Sequence, residues 1–184
     1  MILEREMTNN IQIRKATAAD IDNIVTLYNA TIDYLETHKN YPCWKKDVYP
    51  TREDATDGLE KEQLYVAMIG EKIAGTMILK NEPVDGYEAA EWLTKADYQN
   101  IIVIHTLAVH PDFMKNRVAW ELLQFAERLG REEQYASIRL DVVKGNIPAE
   151  RLYQKSGYQF IGTVSLGYEA YGIPWYNLYE KVLH

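Results

Sequence analysis

The chain has 184 residues and a mass of 21.3 kDa, the size of one domain with a sizeable core. Hydrophobic residues make up 47% and charged residues 26%, which excludes a largely disordered chain. With 20 Lys and Arg against 27 Asp and Glu the net charge is −7, which argues against nucleic acid as a partner, since that binding draws on a basic surplus.

Residues 1–10, MILEREMTNN, are polar and aperiodic and read as a loose leader, leaving residues 11–184 as a single domain. Ile11 to Arg14 alternates like a half-buried strand. Thr17 or Asp20 can cap a helix whose apolar residues Ile21, Ile24, Val25, Tyr28, Ile32 and Leu35 recur at helical spacing. An aromatic- and proline-containing loop from His38 to Pro50 leads to a second helix, with Thr51 as cap and acidic residues in its first turn. Leu64–Ile69 and Ile73–Leu79 flank a short turn at Gly70 and read as a hairpin. Asn81 to Asn100 is long and polar, with a helical turn expected near Trp92. Ile101 to Val109 is apolar almost throughout, as a strand buried on both faces would be, and ends before Pro111. Val118, Leu122, Ala126 and Leu129 mark a helix with Gly130 at the expected C-cap. Strand Ile138–Val143, a helix opened by Asn146 and Pro148 and stopped at Gly157, and strands at 158–164 and 175–182 complete the order β-α-α-β-β-β-α-β-α-β-β. No apolar run approaches the roughly 18 residues of a membrane span.

The chemistry-bearing stretch runs from His105 to Tyr158. A buried strand, a short loop and a helix starting near Arg117 leave that helix's first amides without intrahelical partners at the positive end of its dipole. Such a start is either an anion site, to which Lys115 and Arg117 add charge, or an ordinary turn with solvated basic residues. Thr106-Leu-Ala-Val-His-Pro-Asp-Phe-Met-Lys-Asn-Arg-Val-Ala resembles motif A of the GNAT superfamily of acyl-CoA-dependent N-acyltransferases. Asn146-Ile-Pro-Ala-Glu-Arg-Leu-Tyr-Gln-Lys-Ser-Gly-Tyr resembles that family's motif B, and the element order matches over nearly the whole chain. The resemblance implies an α/β GNAT fold: a mixed, mostly antiparallel sheet flanked by helices and splayed at the strand carrying Leu107 to Val109.

What the resemblance implies for the site follows residue by residue. Leu107, Ala108 and Val109 would offer backbone groups to the pantetheine arm of acetyl-CoA. Met114, Lys115, Asn116, Arg117, Val118 and Ala119 would cradle the pyrophosphate, and Asn146 would contact the cofactor arm. Tyr153 matches the family tyrosine near the CoA sulfur, where a phenol can protonate the leaving thiolate. The family's pattern of Gln or Arg, two residues, Gly, one residue, Gly or Ala falls here on Met114, Arg117 and Ala119, and only Ala119 conforms. Arg117 therefore either grips phosphate or obstructs the groove.

Acylation of an amine needs a base. His105 is the first candidate, expected to share a strand face with Val103, Leu107 and Val109; water, Asp141 and Glu91 are the alternatives. Tyr41, Trp44, Tyr49, Trp92, Tyr168, Tyr171 and Trp175 lie in loops that border the acceptor cleft in such folds, where they would suit a flat or cationic acceptor or simply fill core. The expected reaction is direct transfer of an acetyl group from acetyl-CoA to a primary amine on a small molecule or peptide, without metal, since His38, His105, His110 and His184 show no ligand spacing. The departures in motif A keep open a catalytically silent CoA-binding or sensor module, and beyond it an interaction domain with no CoA site. Cys43 reads as an incidental buried thiol. One cysteine permits no internal disulfide, which with the lack of a signal peptide fits a cytoplasmic protein. No membrane partner is expected, and a homodimer would be common for the family.

Overall fold

A computed structural model describes residues 10–184 of the chain. Apart from Asn10, the expected leader lies outside the described residues. Strands β1 (Ile11–Lys15), β2 (Leu64–Ile69), β3 (Lys72–Lys80), β4 (Ile101–Val109), β5 (Ser137–Val143), β6 (Gln159–Val164) and β7 (Tyr176–Val182) join one sheet in the order β1-β2-β3-β4-β5-β7-β6. Every neighbouring pair is antiparallel except β4 and β5. Helices α1 (Ile21–Thr37) and α2 (Arg52–Glu60) pack on one face, and α3 (Val118–Glu132) and α4 (Ile147–Lys155) on the other. The element order is the one read from the sequence. Among the described residues no helix is long and apolar enough to cross a membrane.

Local chemistry sets the element ends. Thr17 and Asp20 form a capping box before α1, and Asp20 is also held by both guanidinium nitrogens of Arg14 at 2.7 and 2.9 Å. That fork keeps the Asp20 carboxyl down at about 2. Thr51 and Asp54 repeat the box at α2. Asn146 caps α4 by accepting from the Ala149 amide, and Gly157, at φ +84°, turns the chain from α4 into β6.

Two expectations shift. The helical turn expected at Trp92 falls at Tyr87–Ala89. Gly130 is no C-cap: α3 continues to Glu132, and the left-handed residue beyond it is Gln134 at φ 62°. A Cβ on Gly130 would lie 2.5 Å from Leu183 Cδ1, so this glycine serves the close approach of α3 to the chain's last strand.

Candidate active site

The site begins where two parallel strands stop pairing. β4 and β5 are in register only at Ile101–Ser137, Ile102–Ile138 and Val103–Arg139, so beyond Val103 the β4 edge facing β5 is unpaired. A β-bulge lies at this divergence: Ile78 opposes His105 and Thr76 opposes Ala108, three steps on β4 against two on β3. Thr106 takes up the extra residue at φ 47°, a strained value for a β-branched side chain, and its hydroxyl pairs with the Tyr49 hydroxyl at 2.6 Å.

The bulge reverses the strand's alternation. Ile102 and Ile104 face α3 before it, whereas Leu107 and Val109 face α3 after it. His105 thus shares the opposite face with Val103, not with Leu107 and Val109 as strict alternation predicts; the inserted residue breaks the period of two.

Beyond β4, His110 accepts the Asp112 amide and a short turn, Pro111–Phe113, leads into α3. Lys115 and Arg117 both occupy the left-handed region, at φ 70° and 62°, and both are exposed. Arg117 stands where the family pattern has glycine, and its backbone adopts the conformation that glycine takes without strain. The first intrahelical bond of α3 runs from the Glu121 amide to the Arg117 carbonyl, so the amides of Val118, Ala119 and Trp120 have no intrahelical partner.

A cleft of about 520 Å³ opens over this helix start. Of the predicted cofactor residues, Val109, Met114, Lys115, Arg117, Val118 and Ala119 line it; Leu107, Ala108, Asn116, Asn146 and Tyr153 do not. Three wall residues escaped the sequence reading: Phe113, Trp120 and Leu152. Phe113 lies in motif A and Leu152 precedes Tyr153 in motif B, whereas Trp120 lies in neither.

Titratable groups flank the splay, His105 and Asp141 on the face away from α3 and Tyr153 on the α3–α4 face. Burial lowers the His105 imidazole to about 4, helped by the charge of Lys80, and its Nε2 is buried without a partner. Asp141 on β5 is partly buried; burial raises its carboxyl to about 6, against a bond from the Tyr87 hydroxyl at 2.8 Å that favours the charged form. Tyr153 is buried on α4 against the rings of Tyr158 and Tyr179, and burial, then the charge of Asp141, hold its phenol above the ordinary range.

The sequence did not single out Tyr87. It rides on the 81–100 loop, which a buried ion pair fastens to the sheet: Glu180 accepts from Arg139 Nε at 3.1 Å and from the Leu93 amide at 2.6 Å. Trp92, expected at the acceptor cleft, lies under the Arg139 guanidinium and donates to the Tyr87 carbonyl. Tyr168, Tyr171 and Trp175 are exposed, and Glu91 is exposed on the same loop as Tyr87. Cys43 is exposed rather than buried, at φ 58° in the loop before α2. Among the described residues no cluster of His, Cys, Asp or Glu could hold a metal ion.

Known proteins resemble this chain in sequence and in fold. An uncharacterized N-acetyltransferase of Bacillus subtilis, YesJ, is 27% identical over 118 residues, 64% of each chain. A streptothricin acetyltransferase of Escherichia coli is 28% identical over 120 residues, 64% of this chain and 60% of its own. The match thus spans under two thirds of both curated relatives. The crystal structure of a GNAT-family acetyltransferase from Streptococcus agalactiae superposes with a TM-score of 0.73 at 23% identity, covering 94% of this chain and 95% of that one. Residues 25–158 match the acetyltransferase (GNAT) family. With its seven-stranded splayed sheet and its β4–α3 cleft, the chain belongs to the GNAT acetyltransferase family.

Proposed function

We propose that the protein transfers an acetyl group from acetyl-CoA to a primary amine by direct attack. The observation that carries this reading is a single gap, between β4 and β5, that meets the α3 amide cradle on one side and a desolvated carboxylate and imidazole on the other. The names of the two relatives, both N-acetyl- or acetyltransferases, support it.

The residues present suit a CoA pyrophosphate. Three amides without intrahelical partners at a helix start, with Lys115 and Arg117 beside them, supply donors and positive charge at the mouth of the cleft. Acetyl-CoA would supply the thioester. The unpaired edge of β4 offers backbone groups to the pantetheine arm and amides to polarise the thioester carbonyl. Tyr153 would hand its phenolic proton to the departing sulfur. The acceptor nitrogen must first lose a proton, and His105 and Asp141 both stand on the face where an amine would enter.

Binding provides the first test. Acetyl-CoA at 100 times its dissociation constant is expected to add about 2.7 kcal/mol, a melting shift of roughly 5–10 °C for a domain of this size. No shift at millimolar acetyl-CoA would rule the cofactor out.

Arg117→Gly gives a second, with two readouts of opposite sign. The left-handed backbone at Arg117 costs about 1–2 kcal/mol that glycine avoids, so the variant should melt higher. Loss of a charge-assisted phosphate contact, about 1.5–3 kcal/mol, should weaken CoA roughly ten- to a hundredfold at low salt and less at high salt. Tighter CoA binding by the variant would show that Arg117 obstructs the groove.

A further inference from the structure

Asp141 is the carboxylate beside the gap, and among the described residues no cation balances it. It lies on β5 two residues past Arg139, the last rung paired with β4, and so opens into the splay. It opposes Leu178 on β7, which places Tyr176, two residues earlier on β7, on the same face. Tyr87 comes down from the 81–100 loop to donate its hydroxyl. Tyr49 enters from the loop before α2, anchored to the bulge through Thr106. Tyr168 packs against Tyr176 with ring centroids 5.9 Å apart. The Asp141 charge is felt at Tyr49, Tyr168 and Tyr176, phenols carried by the loop before α2, the 165–175 loop and β7.

No cation answers it. Among the described residues Asp141 joins no ion pair, and its only hydrogen-bond partner is the neutral Tyr87 hydroxyl. The nearest guanidinium in sequence, Arg139, is committed to Glu180 and the Thr94 carbonyl. A desolvated carboxylate with one neutral donor is costly, and a cation arriving beside it offsets that cost. Phenol rings are the walls that favour an ammonium group. Asp54 and Asp85, whose charges are also felt at Tyr168, add to a negative field that repels anions.

We propose, resting on the transferase reading above, that the acceptor is a protonated alkyl amine with no anionic group beside the reacting nitrogen, and that Asp141 receives its ammonium and takes its proton. The freed nitrogen attacks the thioester carbonyl; the C–N bond forms and the C–S bond breaks with its electron pair on sulfur. Tyr153 gives its proton to that sulfur and regains one from the acylated nitrogen, and Asp141 releases the first proton to solvent. The sum is ammonium plus thioester to amide, thiol and one proton. His105, on the neighbouring strand, then shapes the gap as a neutral group.

The test titrates 1,5-diaminopentane, Nα-acetyl-lysine amide and β-alanine into the wild type and Asp141→Asn by calorimetry, then follows thiol release with the same amines. The wild type is expected to bind one or both of the first two and not β-alanine; the first two separate a free diamine from a lysine side chain. Asp141→Asn is expected to weaken that binding at least about tenfold, the scale of a lost charged hydrogen bond, and to lower kcat/KM at least about a hundredfold.

The variant should fold. The native state holds the Asp141 carboxyl near 6, above an unfolded value of about 3.9. Its ionisation therefore costs stability as pH rises through that window, and the asparagine should melt at or above the wild type at pH 8. Tyr87→Phe removes the donor that favours the charged form, so the limb of the pH–rate profile that rises near 6 should move to higher pH, while His105→Ala should leave that limb in place. Unchanged amine binding in Asp141→Asn, equal binding of β-alanine, or a limb unmoved by Tyr87→Phe would overturn the assignment. A wild type that binds the diamine through Asp141 yet releases no thiol would refute the transferase reading and leave the ammonium site standing. Turnover unaffected by Asp141→Asn would do the reverse.

Discussion

Tyr153→Phe is expected to lower turnover by about 10²–10⁴-fold, the range for removing a positioned proton donor, while acetyl-CoA affinity barely changes. The ring stays: Tyr153 packs against Tyr158 and Tyr179 at centroid distances of 6.1 and 5.9 Å, and phenylalanine fills the same space. Only the hydroxyl goes, and with it the proton that the proposed mechanism gives the departing thiolate. Burial and the charge of Asp141 hold the phenol above its ordinary range, so Tyr153 stays protonated wherever the protein works. The wild-type rate should therefore show no loss from Tyr153 ionisation up to about pH 10, the free phenol value. Steady-state kinetics over pH, with CoA titration of both proteins, checks both statements; full activity in the phenylalanine variant would remove Tyr153 from the chemistry.

Glu180→Gln is expected to cost about 3–5 kcal/mol of stability, because it leaves Arg139 as an uncompensated buried charge. Glu180 is fully buried and Arg139 is 3% exposed. Besides Arg139, the Glu180 carboxylate accepts from the Ser137 hydroxyl at 2.6 Å and from the Leu93 and Thr94 amides, and Arg139 in turn donates to the Thr94 carbonyl at 2.6 Å. Trp92 and Tyr98 lie 4.4 and 5.1 Å from the guanidinium. At roughly 2–4 °C per kcal/mol, the melting point should fall by about 6–20 °C. The same loop carries Tyr87 to Asp141, so the pH–rate profile should move with the loop. A melting change under about 2 °C would mean that water readily replaces the carboxylate.

The elements of the fold were legible because each carries its own period. The apolar run of β4, the 3.6-residue stripe of α3 and the Asn146–Gly157 frame of α4 each satisfy local rules that tertiary packing then reinforces. The bulge at Thr106 was not legible, since a β-branched residue at positive φ runs against local preference and is imposed by β3 and by Tyr49. That one inserted residue moved His105 off the face expected for it. Gly130 carried the usual mark of a helix end, yet it answers to Leu183, more than 50 residues away. The pairing of Tyr87 with Asp141 spans 54 residues and depends on a loop with no period at all. Of the six residues expected around the α3 start, all but Asn116 line the cleft, because a helix start is a local feature; the surroundings of Asp141 were not legible, because separate loops bring Tyr49, Tyr87 and Tyr168 toward it.

The most direct measurement is release of free CoA thiol from acetyl-CoA in the presence of a panel of primary amines, with amide formation confirmed by mass. The splayed gap, the α3 cradle and Tyr153 predict stoichiometric thiol and N-acetyl amide with at least one alkyl amine, slowed about 10²–10⁴-fold by Tyr153→Phe. Acetyl-CoA that binds and stabilises the fold, with no thiol released to any amine, would contradict the transferase and leave a silent CoA-binding module.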